Sequence, residues 1–222
     1  MKLVYFNGRG LAETSRLILA VAKQDYEDYR YPLEIIDWKS HDIIKKEFDT
    51  DKANNKMLKS LNKVPYLEIE GDIICQSKSI ERFLAKRFNL MGKTDLEAAK
   101  IDSICETIRD IKDDYKKFKQ TVDKDINYLG KSNISLEKWF SETLTEKLSL
   151  LENIIESNLF SIGNSLSLAD LVIYSFITQF FDDKDSSLKA AKANPKIESI
   201  INNVSGNVEI QSWIEKRPQT AF

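Results

Sequence analysis

The chain has 222 residues, 42% of them hydrophobic and 31% charged, with 33 Lys and Arg against 35 Asp and Glu and a net charge of −2. That length accommodates two modest domains with a sizeable core, and the near balance of charge leaves no electrostatic footprint for a nucleic-acid or membrane-surface partner. No apolar run is long enough to span a bilayer, and Met1-Lys2 leads straight into a strand pattern rather than a secretory leader, so the expected location is cytoplasmic.

The first element is a β-rich run, Leu3 to Phe6, broken by Asn7-Gly8-Arg9-Gly10 and followed by a helical pattern with Leu11, Leu17, Ile18, Ala20 and Val21 on its apolar positions. The glycines are turn residues and not a dinucleotide fingerprint, because the third glycine and the distal acidic residue are missing. Tyr5 stands at the end of the strand, where a side chain can face a cleft; such a tyrosine is more commonly core or rim than catalytic. A second strand is expected near Tyr29. The lone His41 lies in a polar stretch and reads as solvated. Between Lys45 and Lys59 the chain is rich in Lys, Asp and Asn. Ile43, Ile44 and Phe48 suggest a helical turn at its start, and the rest reads as a solvated loop.

Residues 63–80 are the most informative. Lys63-Val64-Pro65-Tyr66-Leu67-Glu68-Ile69 is a short strand opened by a proline, Gly71 centres a turn, a second strand follows, and a helix begins near Ser77. A proline at the strand entrance leaves the N–H and C=O of Val64 free to pair with an extended peptide. The first backbone N–H groups of the helix, with Gln76 and the Ser77 hydroxyl, make an anion site. Taken singly these are ordinary punctuation; taken together they describe a receptor for a small charged peptide.

After the connection 89–93 the chain reads as helix throughout. Thr94-x-x-Glu97 is a capping-box start, and Ile101, Ile104, Cys105, Ile108, Ile111, Tyr115 and Phe118 trace one long amphipathic helix. Leu136, Phe140, Leu144, Leu148, Leu151, Ile155 and Leu159 trace another, and Ser167-x-x-Asp170 is a second capping box, a folding element without chemistry. Cys75 and Cys105 form neither a metal cluster nor a C-x-x-C motif and are expected to be small core residues. Asn133-Ile134-Ser135 and Asn203-Val204-Ser205 match the glycosylation pattern by chance. The domains expected are 1–88, an α/β unit of βαβ–ββα order, and 94–222, all helical.

Tyr5-Phe6-Asn7, Arg9-Gly10, Ala12-Glu13, Arg16, Asp37-Trp38, Lys63-Val64-Pro65, Leu67-Glu68, Gly71 and Gln76-Ser77 stand in a familiar order. So do Gly163-Asn164-Ser165, Ser167-Leu168-Ala169-Asp170 and the terminal Trp213 to Thr220. With these landmarks over nearly its whole length, the chain resembles the cytosolic glutathione transferases, most of all the sigma class. The resemblance implies a thioredoxin-like N-terminal domain, an all-helical second domain lining an electrophile pocket, a homodimer, and glutathione as co-substrate with a small hydrophobic electrophile.

Carried over residue by residue, Tyr5 is the catalytic hydroxyl. Val64 pairs with the cysteinyl backbone, with Lys63 and Pro65 beside it among the glutathione-binding residues, while Gln76 and Ser77 hold the γ-glutamyl end and Trp38 lies near the glycine end. Asp110 reaches the glutathione amine from the partner subunit; from sequence alone it reads as a solvated helix charge. The lysine that binds the glycine carboxylate aligns with Asp42, which cannot do so, leaving Lys39, Lys45 or Lys46 for the task. The connection from Trp38 to Lys63 is roughly twice as long as the family's. The family arginine near the sulfur falls on Leu11.

In the prostaglandin D synthase branch three acidic residues at the dimer interface bind a metal. Here they are Glu106, Arg109 and Asp110, and the arginine argues against a metal site. Lys117 replaces part of that branch's aromatic pocket wall.

A free thiol of pKa about 8.5 is only about 3% ionised at pH 7. A hydroxyl donor that lowers it by about two units stabilises the thiolate by about 2.7 kcal/mol and raises the ionised fraction to roughly three quarters. With a Brønsted slope of about 0.4–0.5, that shift costs nearly tenfold in intrinsic reactivity, so positioning must supply most of the rate. The expected activity is therefore conjugation of the glutathione thiolate to small hydrophobic electrophiles. The alternatives are a prostanoid-type isomerase or peroxidase and a noncatalytic, crystallin-like ligand binder. A thiol-disulfide oxidoreductase is disfavoured because no cysteine stands in the turn after the first strand.

Overall fold

The computed structural model describes residues 1–37, 42–125 and 135–220. Two compact units emerge, one of Met1–Phe88 joined by the C-terminal helix, the other of Asn89–Asn207.

The first unit is built on four strands: β1 (Lys2–Phe6), β2 (Glu27–Tyr31), β5 (Tyr66–Ile69) and β6 (Asp72–Cys75), in the order β2-β1-β5-β6. β1 runs parallel to β2 and antiparallel to β5, which pairs antiparallel with β6. The parallel pair needs a crossover, supplied by α1 (Glu13–Val21); the antiparallel pair closes through the turn at Glu70 and Gly71, both with positive φ. The expected βαβ–ββα order is what forms, with α3 (Ser77–Arg87) as its last helix. Leu3, Val4, Leu67, Leu17, Ile18, Ile80 and Leu84 are fully buried.

Between Lys45 and Lys59 the helical turn expected at the start forms around Phe48, and the rest, expected as a solvated loop, is ordered instead. A hairpin of β3 (Glu34–Asp37) and β4 (Asp42–Ile44) leads into α2 (Lys46–Ala53) and a 3-10 turn, Leu58–Ser60. Two apolar residues widely separated along a polar stretch, Phe48 and Met57, are buried with Val4, Tyr31 and Tyr66 in a core on one sheet face. Tyr31 donates to Asp51 at 3.0 Å, and Tyr29 donates to Glu47. Composition alone misses such a segment, because only two of its apolar side chains, Phe48 and Met57, are buried, while most of the rest are exposed. Cys75 is also not a core residue: it is half-exposed, whereas Cys105 is buried.

The second unit begins with α4 (Asp95–Asp125), whose start shows half the expected box: Thr94 Oγ1 accepts from the Glu97 N–H at 3.1 Å, while the Glu97 carboxylate accepts from the Lys93 N–H rather than that of Thr94. Then come α5 (Leu136–Lys138), a π-helical stretch at Trp139–Leu144, α6 (Thr145–Glu152), α7 (Leu168–Ser175), α8 (Lys184–Lys192) and α9 (Pro195–Ser205). The periodic pattern through Leu159 overruns its helix, which ends at Glu152. There Lys196 Nζ donates to the carbonyls of Glu152 and Ile155, at 3.2 and 2.6 Å, and satisfies groups that a further turn would have paired. Asp170 closes the second capping box, accepting from Ser167 N–H, Ser167 Oγ and Ser161 N–H at 2.6–2.8 Å.

The last helix, α10 (Val208–Lys216), was expected with the helical domain. It packs on α1 of the first unit. Among the described residues no helix is long and apolar enough to cross a membrane.

Candidate active site

The sheet register assembles the site. Val4 pairs with Tyr66, and Tyr66 pairs with Cys75, so these three form one row across β1, β5 and β6. One step toward the same sheet end come Tyr5, Pro65 and Gln76, with Val64 and Ser77 beyond. Adjacent strands lie about 4.8 Å apart, so Tyr5 and Gln76 are separated by about 10 Å. That is the span of an extended tripeptide, at about 3.3–3.6 Å per residue.

Tyr5 is only 8% exposed. Its hydroxyl accepts a hydrogen bond from the Leu11 N–H at 3.2 Å, which leaves the phenolic proton free to be donated outward. Burial pushes the Tyr5 pKa above the usual tyrosine value, against the pull of the Leu11 amide and the Arg16 charge, so the group remains a neutral donor. Gly10 makes this contact possible. Its φ is +37°, and a Cβ built there would lie 2.6 Å from the Tyr5 hydroxyl.

The Val64–Pro65 peptide is cis. Val64 is half-buried, and among the described residues its N–H and C=O make no hydrogen bond. Lys63 is exposed and Pro65 buried. Gln76 caps α3 with φ +72° and an exposed side chain; a non-glycine residue in that region costs of order 1–3 kcal/mol, a cost concentrated at functional sites. Ser77 is the first residue of that 11-residue helix, whose N-terminal N–H groups point at the same sheet end.

Of the three candidate lysines, Lys45 precedes α2 with Nζ 5.7 Å from the Phe48 ring centre, and Lys46 is the exposed first residue of that helix. Lys39, Trp38 and His41 lie outside the described residues, as do Asn133 and Ile134. Asp110 is exposed on α4, one position from Arg109, which pairs with Glu106 at 2.6 Å. Lys117 is exposed on the same helix. Among the described residues no group of three metal-ligating side chains comes together.

Arg16 is the site residue that sequence reasoning left without a role. It is completely buried, donates to the Gly8 carbonyl at 2.6 Å and to Asp28 at 3.1 Å, and sits 6.0 Å from the Tyr5 ring centre. The sequence signal was present: an arginine beside the buried run Leu17-Ile18-Leu19, three residues after Glu13, is a charge that only a partner can keep in a core.

The Tyr5 hydroxyl thus stands at the end of a thioredoxin-like sheet, beside an unpaired strand entrance at Val64 and the N-terminus of α3. Residues 1–86 match the model of the glutathione S-transferase N-terminal domain and residues 126–217 that of the C-terminal domain. The chain is 32% identical to the hematopoietic prostaglandin D synthase of Gallus gallus, over 100% of this chain and 98% of that protein. It is 29% identical to S-crystallin SL11 of Nototodarus sloanii, over 99% and 98%. Among solved structures, monomeric Na-GST-3, a glutathione S-transferase from the hookworm Necator americanus, superposes with a TM-score of 0.76 at 30% identity, covering 100% of this chain and 98% of that one. The chain belongs to the glutathione S-transferase family.

Proposed function

We propose that this protein is a glutathione transferase of sigma-like type, which conjugates the glutathione thiolate to small hydrophobic electrophiles in detoxification-type reactions. The observation that carries the reading is the Tyr5 hydroxyl: buried, held by the Leu11 amide and free to donate, at the sheet end it shares with Val64 and Gln76-Ser77. Glutathione enters as co-substrate. Its cysteinyl backbone pairs with Val64 between Lys63 and Pro65, its γ-glutamyl carboxylate meets Gln76, Ser77 and the α3 N-terminus, and its sulfur faces Tyr5. Trp38 and one of Lys39, Lys45 and Lys46 serve the glycine end. The working form is a cytoplasmic homodimer in which Asp110 of one subunit reaches the glutathione amine in the other; the exposure of Asp110 on α4 supports this.

Likeness to an S-crystallin favours a second reading, a binder without turnover. Calorimetry with glutathione, followed by turnover assays against a panel of aryl halides, enals and peroxides, separates the two. Binding with turnover of an aryl halide is the expected result. Binding without turnover on any electrophile supports the binder, and no binding at millimolar glutathione overturns both.

A further inference from the structure

We propose that Arg16 is a positioning residue for the Tyr5 hydroxyl, held in place from the C-terminal helix through Glu13, so that Trp213 and Arg217 govern thiolate formation without touching glutathione. The inference rests on the transferase reading above.

The guanidinium of Arg16 has two tasks. Through Nη1 it pins the Gly8 carbonyl, and Gly8 opens the turn whose Leu11 amide holds the Tyr5 hydroxyl. Through its charge, which an arginine never loses, it favours release of the Tyr5 phenolic proton and so makes the hydroxyl a stronger donor. Asp28, on β2, anchors the other edge of the fork through Nε and is itself shared with Arg30.

Glu13, one turn earlier on α1, is 1% exposed and competes for the same guanidinium, with Oε2 3.7 Å from Nη1. The C-terminal helix relieves that competition. The Trp213 indole N–H donates to Glu13 Oε1 at 3.0 Å, and Arg217 donates to the same oxygen. The charged and titratable groups around Arg16 are therefore Glu13 on its own helix, Asp28 and Arg30 on β2, Tyr26 just before β2, Tyr5 on β1, Arg9 in the turn and Arg217 after α10. Neutralising Arg217 leaves Glu13 with Arg16 as its nearest cation, and Arg16 is drawn off the Gly8 carbonyl. This explains why Trp213 and Arg217, far along the chain from Tyr5, belong to the same functional unit.

The test is the ultraviolet thiolate band of bound glutathione, titrated in wild type, Arg16→Lys, Arg217→Gln and Trp213→Phe, each also in a Tyr5→Phe background. Arg217→Gln is expected to raise the midpoint by about half to one pH unit and to lower kcat while sparing the KM for glutathione. Trp213→Phe, which keeps the ring packing, should shift it less and in the same direction. In the Tyr5→Phe background both shifts should vanish, because the path runs through the hydroxyl. Arg16→Lys keeps the charge but loses the fork, so it should show an intermediate midpoint; if it fails to fold, Arg217→Gln, at a side chain 10% exposed, carries the test. Folded variants with a wild-type midpoint, or shifts that persist without Tyr5, overturn the inference alone. A wild type with no thiolate band overturns the transferase reading and this inference together.

Discussion

On the transferase reading, Tyr5 serves as a donor because it is hard to ionise. Desolvation holds its pKa above the usual value near 10, and the Leu11 amide and Arg16 only moderate the rise. The proton therefore stays on the oxygen throughout the physiological range. It is available to a thiolate, and only the thiol titrates. The pH profile of kcat/KM should rise through the thiol midpoint and then stay flat, with no fall until pH exceeds the ordinary tyrosine range. Tyr5→Phe should lower kcat by about ten- to a thousandfold, leave glutathione affinity nearly unchanged and move the thiolate midpoint upward; an unmoved midpoint removes Tyr5 from the activating role. Gly10→Ala tests the same hydroxyl from the other side. The methyl carbon would lie 2.6 Å from the Tyr5 oxygen, in a backbone region that L side chains rarely adopt. The expected outcome is a kcat loss comparable to that of Tyr5→Phe with glutathione binding retained, since the Val64 and Gln76 contacts are elsewhere. At position 11 the Leu side chain brings no charge, and the backbone N–H holds the hydroxyl.

At the scale of elements, strands and capped helices were legible because their signals are local. The run Leu3–Phe6, the proline strand, Thr94-x-x-Glu97 and Ser167-x-x-Asp170 each carry their pattern within a few residues. The segment from Lys45 to Lys59 was not legible, because its order comes from two distant anchors. The Phe48 ring lies 5.0 Å from Phe6 and 5.6 Å from Tyr31, and Met57 sits beneath the Tyr31 hydroxyl. Phe48→Ala is predicted to cost about 3 kcal/mol, in line with aromatic truncation in a core, read as a lower denaturant midpoint for the first unit. Because Phe48 packs against Phe6, beside Tyr5, the variant should also weaken activity before it unfolds the protein. A variant with wild-type stability would return the segment to the solvated loop that its composition suggests. The helix that stops at Glu152 makes the same point: periodicity continued to Leu159, but Lys196, from a helix far along the chain, ends the run by capping its carbonyls.

At the scale of the whole molecule, the shared-site proposal turns on Asp110. A charge across an interface, partly buried and screened by salt, contributes about 0.5–2 kcal/mol to binding an amine. Asp110→Asn should therefore weaken glutathione by a few-fold to about thirtyfold and spare the fold, since the side chain is exposed. Light scattering provides the companion measurement. A fully active monomer at micromolar concentration would exclude a site completed by the partner, and the relative from Necator americanus is described as monomeric. In a confirmed dimer, an unchanged affinity would leave Asp110 as a solvated helix charge.

By itself the sequence determined the βαβ–ββα order of the main sheet, the open strand entrance at Val64-Pro65, the helix start at Gln76-Ser77 and the candidacy of Tyr5. Those features reside in short contiguous patterns that backbone sterics and burial enforce. Only the tertiary structure decided which positive charge stands near Tyr5, that Gly10 must lack a side chain, that Phe48 and Met57 build a core, and that α10 belongs with α1. Each of these depends on groups brought together from distant positions, as when Glu13 meets Trp213 and Arg217, and a buried charge finds its partner in space rather than along the chain.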